Sequence, residues 1–234
     1  MSKVMDFDSI DKFNTYIMKK YCDSLGSGSE GCCYKGNDGK AYKCIDYDEG
    51  FFCSDYNIDK VITTSDVTNE SFAFPQILFT VGDDFVGYTS ELVEPDLFDD
   101  YFFVTQNTID HIDFDKLIKA YYKMEKDVLL LTNNSIKIYD LPYNLLFDGE
   151  RLVGIDTCCF SYDESISLEE NIGSLDMAIK QAFYMFLSTR GEDECTSFYK
   201  EHNDKTPEEF LRILESRYKS DTKNRVYVNK KSSN

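Results

Sequence analysis

Apolar residues from Phe7 to Leu25 recur every three or four positions, at Phe7, Ile10, Phe13, Tyr16, Ile17 and Tyr21. This is the spacing of one face of an amphipathic helix, which is expected to end at Gly26, Gly28 and Gly31. Beyond the glycines, Cys32-Cys33-Tyr34-Lys35 and Lys40-Ala41-Tyr42-Lys43-Cys44-Ile45 flank Gly36-Asn37-Asp38-Gly39, a turn of residues that tolerate positive φ, and predict a hairpin. From Phe51 to Thr68 the pattern is mixed, with helical spacing through Tyr56 and Ile62 and a poor continuation at Thr63-Thr64-Ser65. Stretches from Phe74 to Val81 and from Phe85 to Val93, around Gly82-Asp83-Asp84, predict a second strand pair. The first half of the chain is therefore expected to be mainly sheet.

Helical patterns dominate the second half. Phe114, Leu117, Ile118, Tyr121, Tyr122, Met124, Val128 and Leu131 fit one broad face. After it come Ile136 to Asp140, a loop through Asn144, and short strands from Leu145 to Phe147 and from Leu152 to Ile155 around Asp148-Gly149-Glu150-Arg151. A second helix is expected from Ile172 to Leu187 and a third from Pro207 to Tyr218. The third starts at Thr206-Pro207-Glu208-Glu209, which supplies a hydroxyl cap, a proline at the first helical position and a glutamate three residues after the cap.

Charge narrows the partners. The 234 residues hold 25 Lys and Arg against 43 Asp and Glu, a net charge of −18 that repels phosphate backbones and anionic lipid, so neither nucleic acid nor a membrane surface is expected. With 42% hydrophobic residues, including 18 Phe and 17 Tyr, the acidity belongs to the surface of a packed domain. The N-terminus has no basic stretch leading into an apolar run, which predicts a soluble, cytoplasmic chain. The eight cysteines contain no C-x-x-C and have only His111 and His202 to join them, so thiols and no structural zinc are expected. Residues 219–234 form a locally basic tail.

The chemistry starts at Gly26-Ser27-Gly28-Ser29-Glu30-Gly31, a G-x-G-x-x-G. A dinucleotide fold needs a strand before the glycines and a helix after them, and here the predicted order is reversed. A Walker A loop needs Lys and Ser or Thr after the last glycine, where this chain has Cys32-Cys33. A glycine-rich strand turn over phosphates remains, its backbone amides approaching the anion where side chains are missing. Ala41-Tyr42-Lys43 on the returning arm supplies a cation.

With these residues the chain resembles the protein-kinase superfamily, in particular its small divergent bacterial members, in which an Ala-x-Lys strand follows the glycine loop. Ile138-Tyr139-Asp140-Leu141-Pro142-Tyr143-Asn144 is similar to the H-R-D-L-x-x-x-N catalytic loop, and Val153-Gly154-Ile155-Asp156-Thr157-Cys158 to the D-F-G metal segment. The departures are specific. Asp140 and Asn144 are four apart where the family has five, Ile138 and Tyr139 replace His and Arg, and Thr157 and Cys158 replace Phe and Gly. The family's glutamate partner for the lysine has only Asp55 or Asp59 as a counterpart, and no A-P-E segment follows Asp156.

The resemblance implies an α+β, two-lobed kinase-like domain: a sheet lobe over 1–93 with an additional N-terminal helix, and a reduced helical lobe over 94–218. It implies ATP bound by Gly26, Ser27, Gly28, Ser29, Gly31, Ala41, Lys43, Glu91 and Val93, the last two at the interlobe hinge. Asn144 and Asp156 would hold Mg²⁺, and Asp140 would accept the proton of the acceptor hydroxyl. The implied activity is γ-phosphate transfer to Ser or Thr of a protein. Two alternatives stay open, a pseudokinase binding module and a kinase of small cationic hydroxylated amines drawn to the acidic surface. Cys32 and Cys158, beside the phosphate-facing motifs, are candidates for redox sensitivity.

Overall fold

Ser9 decides where the first helix starts. In the computed structural model, which describes residues 3–28, 31–45, 58–94, 113–142, 144–184 and 192–217, Ser9 is extended and its hydroxyl accepts the Lys12 amide at 3.3 Å, capping α1 (Ile10–Lys20). Strand β1 (Lys3–Phe7) precedes the cap and β2 (Tyr21–Gly28) follows the helix directly. The single helix expected from Phe7 to Leu25 is thus three elements, and Phe7 and Tyr21, which match its spacing, lie in the flanking strands. The next hairpin turn closes α1: the Asn37 backbone amide donates to the Lys20 carbonyl at 2.9 Å and Asn37 Nδ2 to the Lys19 carbonyl at 3.1 Å.

The expected hairpin forms as β3 (Gly31–Gly36) and β4 (Lys40–Ile45), with Gly39 at φ 74° in its turn. Helix α2 (Ile58–Ser65) is followed by β5 (Ile77–Val81) and β6 (Asp84–Glu91). The strand expected from Phe74 begins only at Ile77, because residues 72–74 turn away to the second half of the chain: the Ala73 amide donates to the Gly154 carbonyl at 2.9 Å and Phe72 bridges Gly154. The sheet order is β1-β5-β6-β4-β3-β2, with β1 parallel to β5 and every other pair antiparallel.

Alternation along the strands gives the sheet two apolar faces. Tyr42, Phe79 and Val86 pack on Phe13 and Ile17 of α1. Leu78, Phe85 and Tyr88 pack on Val61 of α2 and on Cys158, far along the chain. Lys43, next to Tyr42, belongs to this second face.

Helix α3 (Phe114–Asn133) begins at Asp113, whose carboxylate accepts the amides of Asp115 and Lys116. Strand β7 (Ile136–Lys137) pairs with β10 (Ser161–Tyr162), and β8 (Leu145–Phe147) pairs with β9 (Leu152–Gly154) as expected. Helix α4 (Leu168–Tyr184) starts ahead of the expected Ile172 because Ser167 and Glu170 cap each other's amides, at 3.2 and 3.1 Å. Helix α5 (Glu192–His202) was not expected. Helix α6 (207–217) opens on the predicted box, with the Glu209 amide on Thr206 Oγ at 3.3 Å and the Thr206 amide on Glu209 Oε2 at 3.0 Å. These helices share one core through Leu117, Met124, Leu131, Leu175, Ile179 and Phe210.

The described residues form an α+β fold of a mainly antiparallel six-stranded sheet and six helices. None of these helices is long and apolar enough to cross a membrane. The basic tail lies outside the described residues.

Candidate functional site

Lys43 sits in the middle of the sheet. In β4 it faces Cys33 on β3 and Tyr88 on β6, and it is only 9% exposed. A cation this far from water needs a counter-charge. Its Nζ donates to Asp156 Oδ2, with which it forms an ion pair. The Tyr88 hydroxyl donates to the other oxygen, Oδ1, at 2.9 Å. Residues opposite each other in an antiparallel pair project to the same face, so β4 and β6 deliver the ammonium and the phenol side by side.

Asp156 comes to them from the other half of the chain. Strand β9 ends at Gly154, whose Cα is so closely covered by Phe72 and Leu141 that a Cβ there would collide with both. Two residues later Asp156 takes the left-handed conformation, φ 54° and ψ 44°, and opens a turn over Thr157–Cys159. Asp140 is also left-handed, at φ 49°. For a residue with a Cβ this conformation costs about 1–2 kcal/mol. Among the described non-glycine residues it occurs at Ser135, Asp140 and Asp156, so two of three instances fall on acids singled out for chemistry.

Asp140 and Asp156 are tied through Asn144. Asn144 Nδ2 donates to the Asp140 carbonyl at 2.8 Å and lies 3.4 Å from Asp140 Oδ2. The Asn144 carbonyl accepts the Ile155 amide at 2.8 Å. The loop is anchored from below by Asn171 of α4, a wholly buried amide: its Oδ1 accepts the Ile138 amide at 3.0 Å, and its Nδ2 donates to the Ile136 carbonyl at 2.8 Å and to Thr132 Oγ1 at 2.9 Å. All three bonds are needed to leave no polar group orphaned in that core.

The glycine-rich segment is a strand hairpin. Gly26 pairs with Cys33, Ser27 with Cys32 and Gly28 with Gly31, and Ser29 and Glu30 lie outside the described residues. Gly31, at φ 142°, is required by close approach, since a Cβ would overlap the Cys44 carbonyl oxygen on β4. Gly28 has open space where a Cβ would sit. The hairpin is therefore stitched to the Lys43 strand at one glycine and presents bare backbone at the other.

At the far end of β4, Ala41 pairs with Ser90 of β6. Val93 is buried with Ala73, Leu146 and Val153, against Ile155. The Glu91 carboxylate accepts from Arg151 at 2.8 Å, and Arg151 also donates to Asp148 at 2.9 Å, so Glu91 fastens the end of the sheet to the β8–β9 turn. Asp59, one of the two candidate partners for Lys43, is exposed in the first turn of α2, and among the described residues the acid paired with Lys43 is Asp156. Asp55 lies outside the described residues.

Burial sets the local ionisation. The Cys33 thiol is pushed up to about 11 by burial, against a downward pull from Lys43 and with upward contributions from Asp156 and Cys32. Burial also raises Tyr88 and Cys158 well above their ordinary values. Cys158 is buried in the core behind the sheet, at 5% exposure, which counts against its candidacy as a redox-sensitive residue. Tyr88 and Asn171 are the residues the sequence reading missed. Finding Tyr88 requires the β4–β6 register; Asn171 leaves a trace, an amide immediately before the apolar positions that start at Ile172.

The oxygen set suits a hard divalent cation: Asp156 and Asp140 offer carboxylates and Asn144 an amide oxygen. Lys43 and Tyr88 use one lone pair on each oxygen of Asp156, and the carboxylate keeps further acceptor capacity for a metal. No protein-family model matches the chain, and the comparison with curated proteins yields no match.

Proposed function

We propose that this chain is an ATP- and Mg²⁺-dependent phosphotransferase of the protein kinase-like type, with two lobes, the sheet half and the helical half, meeting at Lys43 and Asp156. The observation that carries this reading is the joining of three sequence-distant groups: Lys43 bound to Asp156, and Asp156 tied through Ile155 and Asn144 to Asp140. A solvated acid or an ordinary loop glycine explains each motif alone and does not explain their convergence.

The roles follow from residue chemistry. Phosphoryl transfer asks mainly for positioning and charge neutralisation. The backbone of Gly26, Ser27, Gly28 and Gly31, with Ser29 in the same loop, cradles the phosphates, and Lys43 supplies a point charge to them. Ala41, Glu91 and Val93 mark the hinge end of the nucleotide site, where the Glu91 carboxylate is already committed to Arg151. Asp156 and Asn144 hold Mg²⁺, which neutralises charge on the phosphates when bound. Asp140, exposed at the end of its loop, accepts the acceptor hydroxyl proton.

The acceptor is a Ser or Thr hydroxyl of a protein. A net charge of −18 favours basic sequence around that hydroxyl, and the same charge serves a small cationic amine. The test is γ-phosphate transfer from Mg·ATP to basic proteins and to hydroxylated amines by the native chain and by Asp156→Ala. Transfer is expected to fall at least about 100-fold in the variant. Equal transfer by both removes Asp156 from the chemistry, and binding of ATP without transfer supports the pseudokinase alternative.

A further inference from the structure

We infer that Tyr88 is a positioning residue for Asp156, holding the carboxylate to the sheet when Lys43 leaves it for a phosphate; this rests on the phosphotransferase reading above. Without a nucleotide, Lys43 and Asp156 neutralise each other. In the proposed reaction both charges have other work, the ammonium on the phosphates and the carboxylate on the metal, so the pair that now fixes Asp156 must loosen as the site fills. An acid in a left-handed turn, released from its ion pair with Lys43, would need another hold to keep its place.

The Tyr88 hydroxyl supplies the second tie. It donates to Oδ1 while Lys43 donates to Oδ2, so the two donors do not compete. Its chemistry differs in the way the reaction needs. A phenol orients the carboxylate without cancelling its charge. The ring itself is fixed: it is 4% exposed, and it lies parallel to Phe85 with an interplanar angle of 2°. Tyr88 faces Lys43 in register, so both ties come from the same rigid part of the sheet.

The test is calorimetric binding of a non-hydrolysable ATP analogue, with and without Mg²⁺, to the native chain and to Tyr88→Phe, which keeps the ring and its stacking. In the native chain Mg²⁺ tightens binding. In Tyr88→Phe metal-free affinity is expected within about two-fold of native, while the Mg²⁺-dependent gain shrinks about ten-fold, the scale of one hydrogen bond to a charged group. Lys43→Met provides a second background, in which Tyr88 still holds Asp156, so a Mg²⁺-dependent gain persists there and is lost in Lys43→Met/Tyr88→Phe. An unchanged Mg²⁺ gain in Tyr88→Phe overturns the positioning role and leaves the phosphotransferase reading standing. Failure of the native chain to bind the analogue at all overturns that reading, and this role with it.

Discussion

Lys43 on β4 and Asp156 after β9, 113 residues apart, form an ion pair between the six-stranded sheet and the turn that follows β9. Their side chains are 10% and 23% exposed, so neither charge is left to bulk water. Removing either partner takes a buried counter-charge from the other. Lys43→Met and Asp156→Asn are each expected to lower stability by about 1–3 kcal/mol. The double variant is expected to lose less than the sum, because both changes remove the same interaction. Denaturant unfolding of the four proteins gives the coupling energy, and strict additivity would contradict a direct interaction.

Two glycines of the hairpin make opposite predictions. Gly31→Ala drives a Cβ into the Cys44 carbonyl oxygen at a positive φ, and is expected to cost more than about 3 kcal/mol by separating β3 from β4. Gly28→Ala has open space, and is expected to stay within about 0.5 kcal/mol of native stability. Under the proposed function its expected effect is on nucleotide affinity, which falls if the added methyl stands where backbone approaches phosphate. Thermal unfolding and ATP titration of both variants separate fold from function.

Asn171→Leu fills the same space without the amide. The Ile138 amide and the Ile136 carbonyl then lose their partner in a buried site, at an expected cost of about 2–5 kcal/mol. Hydrogen exchange is expected to show the loss first at the Ile138 amide, next to the Asp140 loop. Protection at Ile138 equal to native would mean that Asn171 does not anchor that loop.

Cysteine labelling reads the burial of the site. At pH 8 an alkylating reagent is expected to reach exposed Cys22 quickly and Cys33 and Cys158 slowly, because burial holds both inner thiols protonated. The same shift has a stability consequence. A thiol whose folded value is raised binds its proton more tightly in the native state. Its contribution is therefore full below pH 9.0 and declines as pH rises toward about 11. Cys33→Ala is expected to flatten the alkaline limb of a stability curve over that interval.

The parts of this fold legible in the sequence are those with local causes. The β3–β4 hairpin follows from Gly36-Asn37-Asp38-Gly39, the α6 cap from Thr206 and Glu209, and the β8–β9 pair from a turn with Gly149 at φ 92°. Where the cause is distant, periodicity misleads. Strand β2 is exposed along its first four residues, so no buried alternation announces it, and helical spacing from α1 runs into it. Strand β1 is held by a parallel partner and by the Asp6 carboxylate, which accepts from Thr80 Oγ1 at 2.8 Å and from the Gly82 amide at 3.1 Å. The site divides in the same way. Lys43, Asp140, Asn144 and Asp156 stand in readable motifs, whereas Tyr88 acquires a role only when β6 lies beside β4. Asp59 carries a charge that could pair with Lys43, and it faces solvent from the first turn of α2.

In the proposed reaction binding and chemistry are divided, with Lys43 and Asp156 holding Mg·ATP and Asp140 serving the acceptor hydroxyl. The direct measurement is γ-phosphate transfer and ATP affinity measured together for native protein and Asp140→Asn. ATP affinity is expected within about two-fold of native and transfer reduced at least about 100-fold. Transfer at the native rate in Asp140→Asn would contradict it.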